Sequence, residues 1–243
     1  MPKRNTYLLP CVDFISNSSV GRLEVNMHAS KDIRKIKCLD GLHYSFELLE
    51  HSYKSLYENC ASIKTDPKYL IPALSQCWSF VDLVYRIREI SQAIPGLSKR
   101  NRKLIEFLEI TEIAESYRHY IQHLRAELSK KEPNPFPVWG SLSWVDPEDN
   151  NNSFLILSGA QIKGTNYTGC VYDRIECKWV SRVCLGVQNL SFNFDPIYEA
   201  TIAFRDFIIP WVLSNYEPEI RITEKAPLFS VKIITIDSNA KKE

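Results

Sequence analysis

Arg118, His119 and His123 crowd into six residues of the stretch Ser116-Tyr117-Arg118-His119-Tyr120-Ile121-Gln122-His123-Leu124. A guanidinium offers a planar fork of donors that fits phosphate oxygens, and an imidazole moves a proton near neutral pH. These residue types can hold a phosphodiester and handle the proton that its cleavage transfers. Arg22 and His28, six apart, fall in the same range of spacing, but in a segment with no helical periodicity, so helical context distinguishes the Arg118 match. On a regular helix, residues five apart differ by roughly 140° in direction. Arg118 and His123 are therefore not expected on one face, unless Ser116 opens a fresh turn or a second copy completes the pocket.

The same stretch supports two other chemistries. Glu115, His119, His123 and Glu127 form an i, i+4 stripe, and its two imidazoles could grip a metal if His43, His51 or Asp82 added ligands. Alternatively the stripe is a solvated helix face with carboxylate–histidine and Glu–Arg pairs. All five histidines lie in the first 123 residues, which places histidine acid–base chemistry there and leaves the rest as support, binding surface or interface.

Supporting residues surround the motif. Asp82 and Arg86, four apart on one helix, are read as a surface ion pair, with a buried contact behind the motif as the alternative. Lys99, Arg100, Arg102 and Lys103 precede the motif helix and could steer RNA phosphates. Trp139, Trp144, Trp179, Tyr167 and Tyr172 could stack on bases, although strand alternation favours core positions for them. No glycine-rich phosphate loop or nucleophile elbow is present.

The elements that must position these residues change character near residue 132. Apolar positions three and four apart predict helices over about 39–63, 66–94 and 101–131, the last with a fresh start at Ser116. Asp66-Pro67 is an N-cap followed by proline at the first helical position. Pro133, Pro135 and Pro137 forbid continuation of the third helix. β-type segments follow at about 138–145, 154–158, 169–172, 178–187 and 229–236, with a polar turn at 146–152. Asp195-Pro196 opens one more helix, to about residue 209, before Pro210. Residues 21–27 read as a strand. The fold expected is α+β, a helical bundle followed by a small, mostly antiparallel β domain with one helix. The expected divisions are an extension at 1–38, the bundle at 39–132 and the β-rich domain at 136–238.

Composition narrows the class. The chain has 243 residues, 44% of them hydrophobic, with 30 Lys+Arg against 29 Asp+Glu, so polyanion binding would have to be local. No apolar run approaches the roughly 18 residues of a membrane span, and no signal-peptide core opens the chain. A cytoplasmic protein without membrane attachment is expected. Seven cysteines without a C-x-x-C pair read as reduced thiols; Cys170, Cys177 and Cys184 are expected to be buried.

A late bundle helix carrying arginine, a polar residue and then histidine resembles the HEPN superfamily, over residues of about 40–131. The match is Arg118, the polar His119 and His123, at the short end of the family's spacing. The resemblance implies a metal-independent endoribonuclease of toxin or defence type, or an inactive relative that binds RNA or nucleotide. It implies no cofactor and no metal, a homodimer through the bundle, and an antitoxin or other regulatory protein as partner. On that basis His123 would act as general base or acid, Arg118 would hold the scissile phosphate, and His119 would orient either. The competing class is a non-enzymatic scaffold or interaction protein in which the Arg/His motif is structural.

Overall fold

The computed structural model describes residues 11–15, 22–25, 33–159, 167–215, 220–223 and 228–232. In chain order its strands and helices are β1 (Cys11–Ile15), β2 (Arg22–Val25), α1 (Ile33–Ile63), α2 (Leu70–Ala93), α3 (Arg102–Ile110), α4 (Ile113–Gln122) and α5 (Leu124–Leu128). Then follow β3 (Ser141–Val145), β4 (Ser153–Leu157), β5 (Tyr172–Asp173), β6 (Lys178–Trp179), β7 (Val183–Val187), β8 (Leu190–Asn193), α6 (Phe194–Asn215), β9 (Ile220–Thr223) and β10 (Leu228–Lys232). The architecture is α+β, as the sequence predicts. Among the described residues no helix is long and apolar enough to cross a membrane.

Contacts divide the chain into two units: Met1–Lys31 with Tyr216–Glu243, and Asp32–Asn215. In the first, β1 pairs antiparallel with β10 and β2 antiparallel with β9. The second holds every helix of the described residues and the central sheet, so the proline-rich 133–137 stretch is a connection inside it.

In α1, Leu39, Leu42, Phe46, Leu49 and Leu56 are buried at the three- and four-residue spacing that faces them to one side. The helix begins at Ile33, six residues before the apolar pattern becomes regular. α2 returns antiparallel beside it. The Cys38 thiol at one end donates to Ala93 O at 3.8 Å, and Ser52 Oγ midway donates to Gln76 O at 3.0 Å. Asp66 does cap, its carboxylate accepting from Lys68 N at 3.0 Å, but the turn it opens is a 3₁₀ segment, Pro67–Tyr69.

The predicted third helix is broken twice, and not at Ser116. Buried Arg88 of α2 donates to Leu108 O, to Thr111 Oγ1 at 2.6 Å and to the Glu115 carboxylate. An unbroken helix would give Leu108 O to Glu112 N; instead Glu112 N turns to Glu109 O at 3.3 Å. A captured carbonyl thus ends α3, and α4 starts afresh at Ile113. Asn101 caps α3, accepting from Lys103 N and Leu104 N.

The sheet order is β4-β3-β7-β8, antiparallel throughout. The predicted 178–187 strand is interrupted because the Asp195 carboxylate takes the Arg182 amide at 2.8 Å and Ser181 Oγ donates to Val183 O at 2.6 Å. β8 was not predicted; a two-residue turn at Gln188-Asn189 joins it to β7 and pairs Val187 with Leu190. α6 runs through Pro210 to Asn215, with Ile208 and Val212 buried on either side of the proline. Helices and sheet share one aromatic core: Phe80 of α2, Tyr117 of α4, Phe192 of β8 and Phe194 lie with ring centroids 5.0 to 6.1 Å apart. Edge contacts between rings of this size favour a fixed arrangement.

Candidate functional site

The motif helix is seated by its tyrosines. Tyr117 is fully buried and its hydroxyl shares its one proton between Leu185 O and Leu190 O, the latter at 3.2 Å. One turn on, Tyr120 donates to Val138 O at 3.1 Å. Burial drives the Tyr117 phenol far above its usual range, so it stays a neutral donor. These two anchors fix the rotation of α4 against the sheet, and the rotation decides where the next residues point.

Arg118 follows Tyr117 and lies at the rim, its side chain 35% exposed. Its Nη1 lies 3.0 Å from Asp82 Oδ1, and its guanidinium carbon sits 5.8 Å from the centre of the Tyr85 ring. Asp82 Oδ2 also accepts from Arg86 Nε. The Asp82–Arg86 pair is thus a surface ion pair, as the sequence reading favours, its side chains 27% and 62% exposed, and Asp82 also joins it to the motif arginine. The Nε of Arg118 is buried without a partner among the described residues.

His119 and His123 are exposed, and their rings lie 4.2 Å apart between centroids, tilted by 44°. His123 is the joint between α4 and α5, with φ −103° and ψ 11°. His123 N still closes the helical bond to His119 O at 3.0 Å, so the turn between Arg118 and His123 is regular. Arg118, His119 and His123 all line one cleft of about 590 Å³. Arg118 achieves this from within α4, which opens at Ile113, and not from a turn begun at Ser116.

Carboxylates enter the same cleft. Glu89, Glu115 and Glu127 line it with Tyr85 and, from the β7–β8 turn, Gln188 and Leu190. Glu115 is engaged by Arg88. Glu127 is held below the usual carboxylate range, mainly by the Lys130 ammonium 2.6 Å away, with His119 contributing. The Glu115-His119-His123-Glu127 stripe thus does face one space. Among the described residues, however, no three His, Cys, Asp or Glu side chains form a group that could hold a metal ion.

None of Lys99, Arg100, Arg102 and Lys103 lines the cleft. Arg102 and Lys103 close on Glu106 at 2.8 and 3.2 Å, as a solvated helix start would. The aromatics of the β-rich part divide. Trp144 is buried, but Trp139 is 56% exposed and Tyr172 44% exposed, against the expected core placement. Cys177 is likewise exposed, at a turn with φ 51°, while Cys184 is buried and Cys170 partly so. Gln188 and Leu190 had no sequence signal, because a hairpin turn brings them in. Tyr85 had one, lying three residues after Asp82 on the same helix. No protein-family model, curated protein or solved structure matches the chain, so the meaning of this cleft rests on its own side chains.

Proposed function

We propose that the chain is a HEPN-like, metal-independent endoribonuclease whose active site is the Arg118–His119–His123 cleft. The observation that carries this reading is the convergence of one guanidinium and two imidazoles, 4.2 Å apart between ring centroids, on a single open space. His123 takes the proton of a ribose 2′-hydroxyl as its oxygen attacks the adjacent phosphorus. The bond from phosphorus to the 5′-oxygen breaks, and that oxygen leaves with a proton from His119. The products are a 2′,3′-cyclic phosphate and a 5′-hydroxyl end. Arg118 binds the non-bridging oxygens and stabilises the charge that grows on them. A toxin or defence role follows from such an activity, with pairing of two copies through the bundle and a regulatory protein covering the cleft.

The test is cleavage of a panel of single-stranded RNAs in the presence of a chelator. Wild type should cut, while His123→Ala should lose about 100-fold or more, the usual scale for removing a general acid or base. Unchanged cleavage by His123→Ala overturns the assignment. A second reading, a non-enzymatic scaffold, is favoured by one observation: Arg118 is already paired with Asp82, and the cleft carries Glu89, Glu115 and Glu127. Growth arrest on expression of wild type but not of His123→Ala decides for the nuclease; equal growth of the two decides for the scaffold.

A further inference from the structure

Arg118 lines a second space as well. On its other side lies an apolar groove of about 910 Å³, walled by Leu74, Ile121, Leu157 and the indoles of Trp78 and Trp139, with Asp82 beside Arg118 at the polar end. The groove and the cleft therefore adjoin at Arg118, which lines both.

The groove contains an aromatic corner. Trp78 and Trp139 meet at 75° with ring centroids 6.4 Å apart, so a flat group laid on one indole presents its edge to the other. Trp78 is seated against buried Tyr117 at 5.8 Å. Trp139 is 56% exposed, and a built turn presents it. Gly140 N donates to Pro137 O at 2.9 Å, Gly140 takes φ 89°, and Tyr120 of the motif helix donates to Val138 O at 3.1 Å. A large indole held in solvent by a turn tied to the motif helix is not filling a core.

We infer that this groove is a nucleobase subsite, in which the base next to the phosphate at Arg118 stacks on Trp139. This rests on the reading of the cleft as an RNA site and names where the flanking nucleotide goes. The occupant must be flat and apolar on its faces, and it must be joined to an anion that reaches the guanidinium. A nucleotide of single-stranded RNA has that form, and stacking on an indole is tolerant of which base it carries. A duplex, whose bases are stacked on one another, would not enter.

The experiment uses the full chain and a fluorescein-labelled 2′-O-methyl hexauridylate, which lacks the attacking hydroxyl and is not cut, with binding read by anisotropy at low salt. A second series replaces one base at a time by an abasic ribose. Trp139→Ala should weaken hexamer binding about tenfold, and Trp139→Phe should restore most of it. One abasic position should weaken wild type to a similar degree and add nothing further in Trp139→Ala. The salt slope should be the same in wild type and Trp139→Ala, since no charge is lost, but shallower in Arg118→Ala. Equal binding by wild type and Trp139→Ala overturns the subsite while leaving the RNA site standing. So does an abasic penalty that persists undiminished in Trp139→Ala. Absence of any binding by wild type overturns the RNA reading and the subsite with it.

Discussion

Asp82 Oδ1 lies 3.0 Å from Arg118 Nη1 while its other oxygen holds Arg86. One carboxylate from α2 thus aims the guanidinium of α4, and it also competes with any phosphate that approaches.

Those two effects separate in Asp82→Asn. Removing the negative charge should tighten RNA binding about threefold, because an anion no longer repels the phosphate. Loss of the fixed fork geometry should lower the cleavage rate about tenfold, misplacement costing more than the charge returns. Steady-state kinetics should show KM and kcat falling together. A variant in which both are unchanged would remove Asp82 from the site.

The hydroxyl of Tyr117 ties the motif helix to the sheet. Tyr117→Phe keeps the ring among Phe192 and Trp78 but leaves the Leu185 and Leu190 carbonyls without that donor. Urea denaturation should show a loss of about 1–3 kcal/mol.

Gly140 is irreplaceable for two separate reasons. Its φ of 89° disfavours any L side chain, and an added Cβ would lie 2.4 Å from Gly186 O. Gly140→Ala should cost about 2 kcal/mol or more in thermal or urea unfolding. It should also change the fluorescence of Trp139, since the turn that presents the indole must shift.

Acid should weaken the hairpin between β3 and β4. The Asp146 carboxyl is held below its usual range, first by the Glu148 amide at 3.0 Å and then by Lys64 at 3.1 Å. A depressed folded value means the unfolded chain binds the proton more readily, so stability rises with pH. The contribution is complete above the unfolded carboxylate value of roughly 3.9 and disappears as pH falls through the lower folded value. Melting temperatures from pH 7 to pH 3 should show Asp146→Asn less stable than wild type at pH 7, with the gap closing toward pH 3.

The long helices were legible because their information is local. Leu39, Leu42, Phe46 and Leu49 repeat at helical spacing, and Asp66-Pro67 announces a start within two residues. The break after α3 was not legible, since Arg88, more than a turn away in another helix, takes the carbonyl that would have continued it. Ser116 had the chemistry of a cap but nothing to release it from the helix already running. At the site, the residue types in Arg118, His119 and His123 were readable; their convergence was not. It depends on the rotation that Tyr117 and Tyr120 give α4, through carbonyls of Leu185, Leu190 and Val138 that lie outside the local sequence pattern. Trp139 misled for a related reason: alternation predicts burial, but Gly140 turns the chain just before the strand begins.

The antiparallel pairing of β1 with β10 sets the order in which the molecule is made. Cys11 pairs with Lys232 and Val25 with Ile220, so neither early strand has its partner until the whole of Asp32–Asn215 has been synthesised. At roughly 5–20 residues per second, β1 and β2 leave the ribosome on the order of ten seconds or more before β9 and β10. During that interval the helices and the central sheet can form, while the early strands wait with unpaired edges. Vectorial synthesis therefore completes the unit that carries the cleft first, and pairs β1 with β10 and β2 with β9 last.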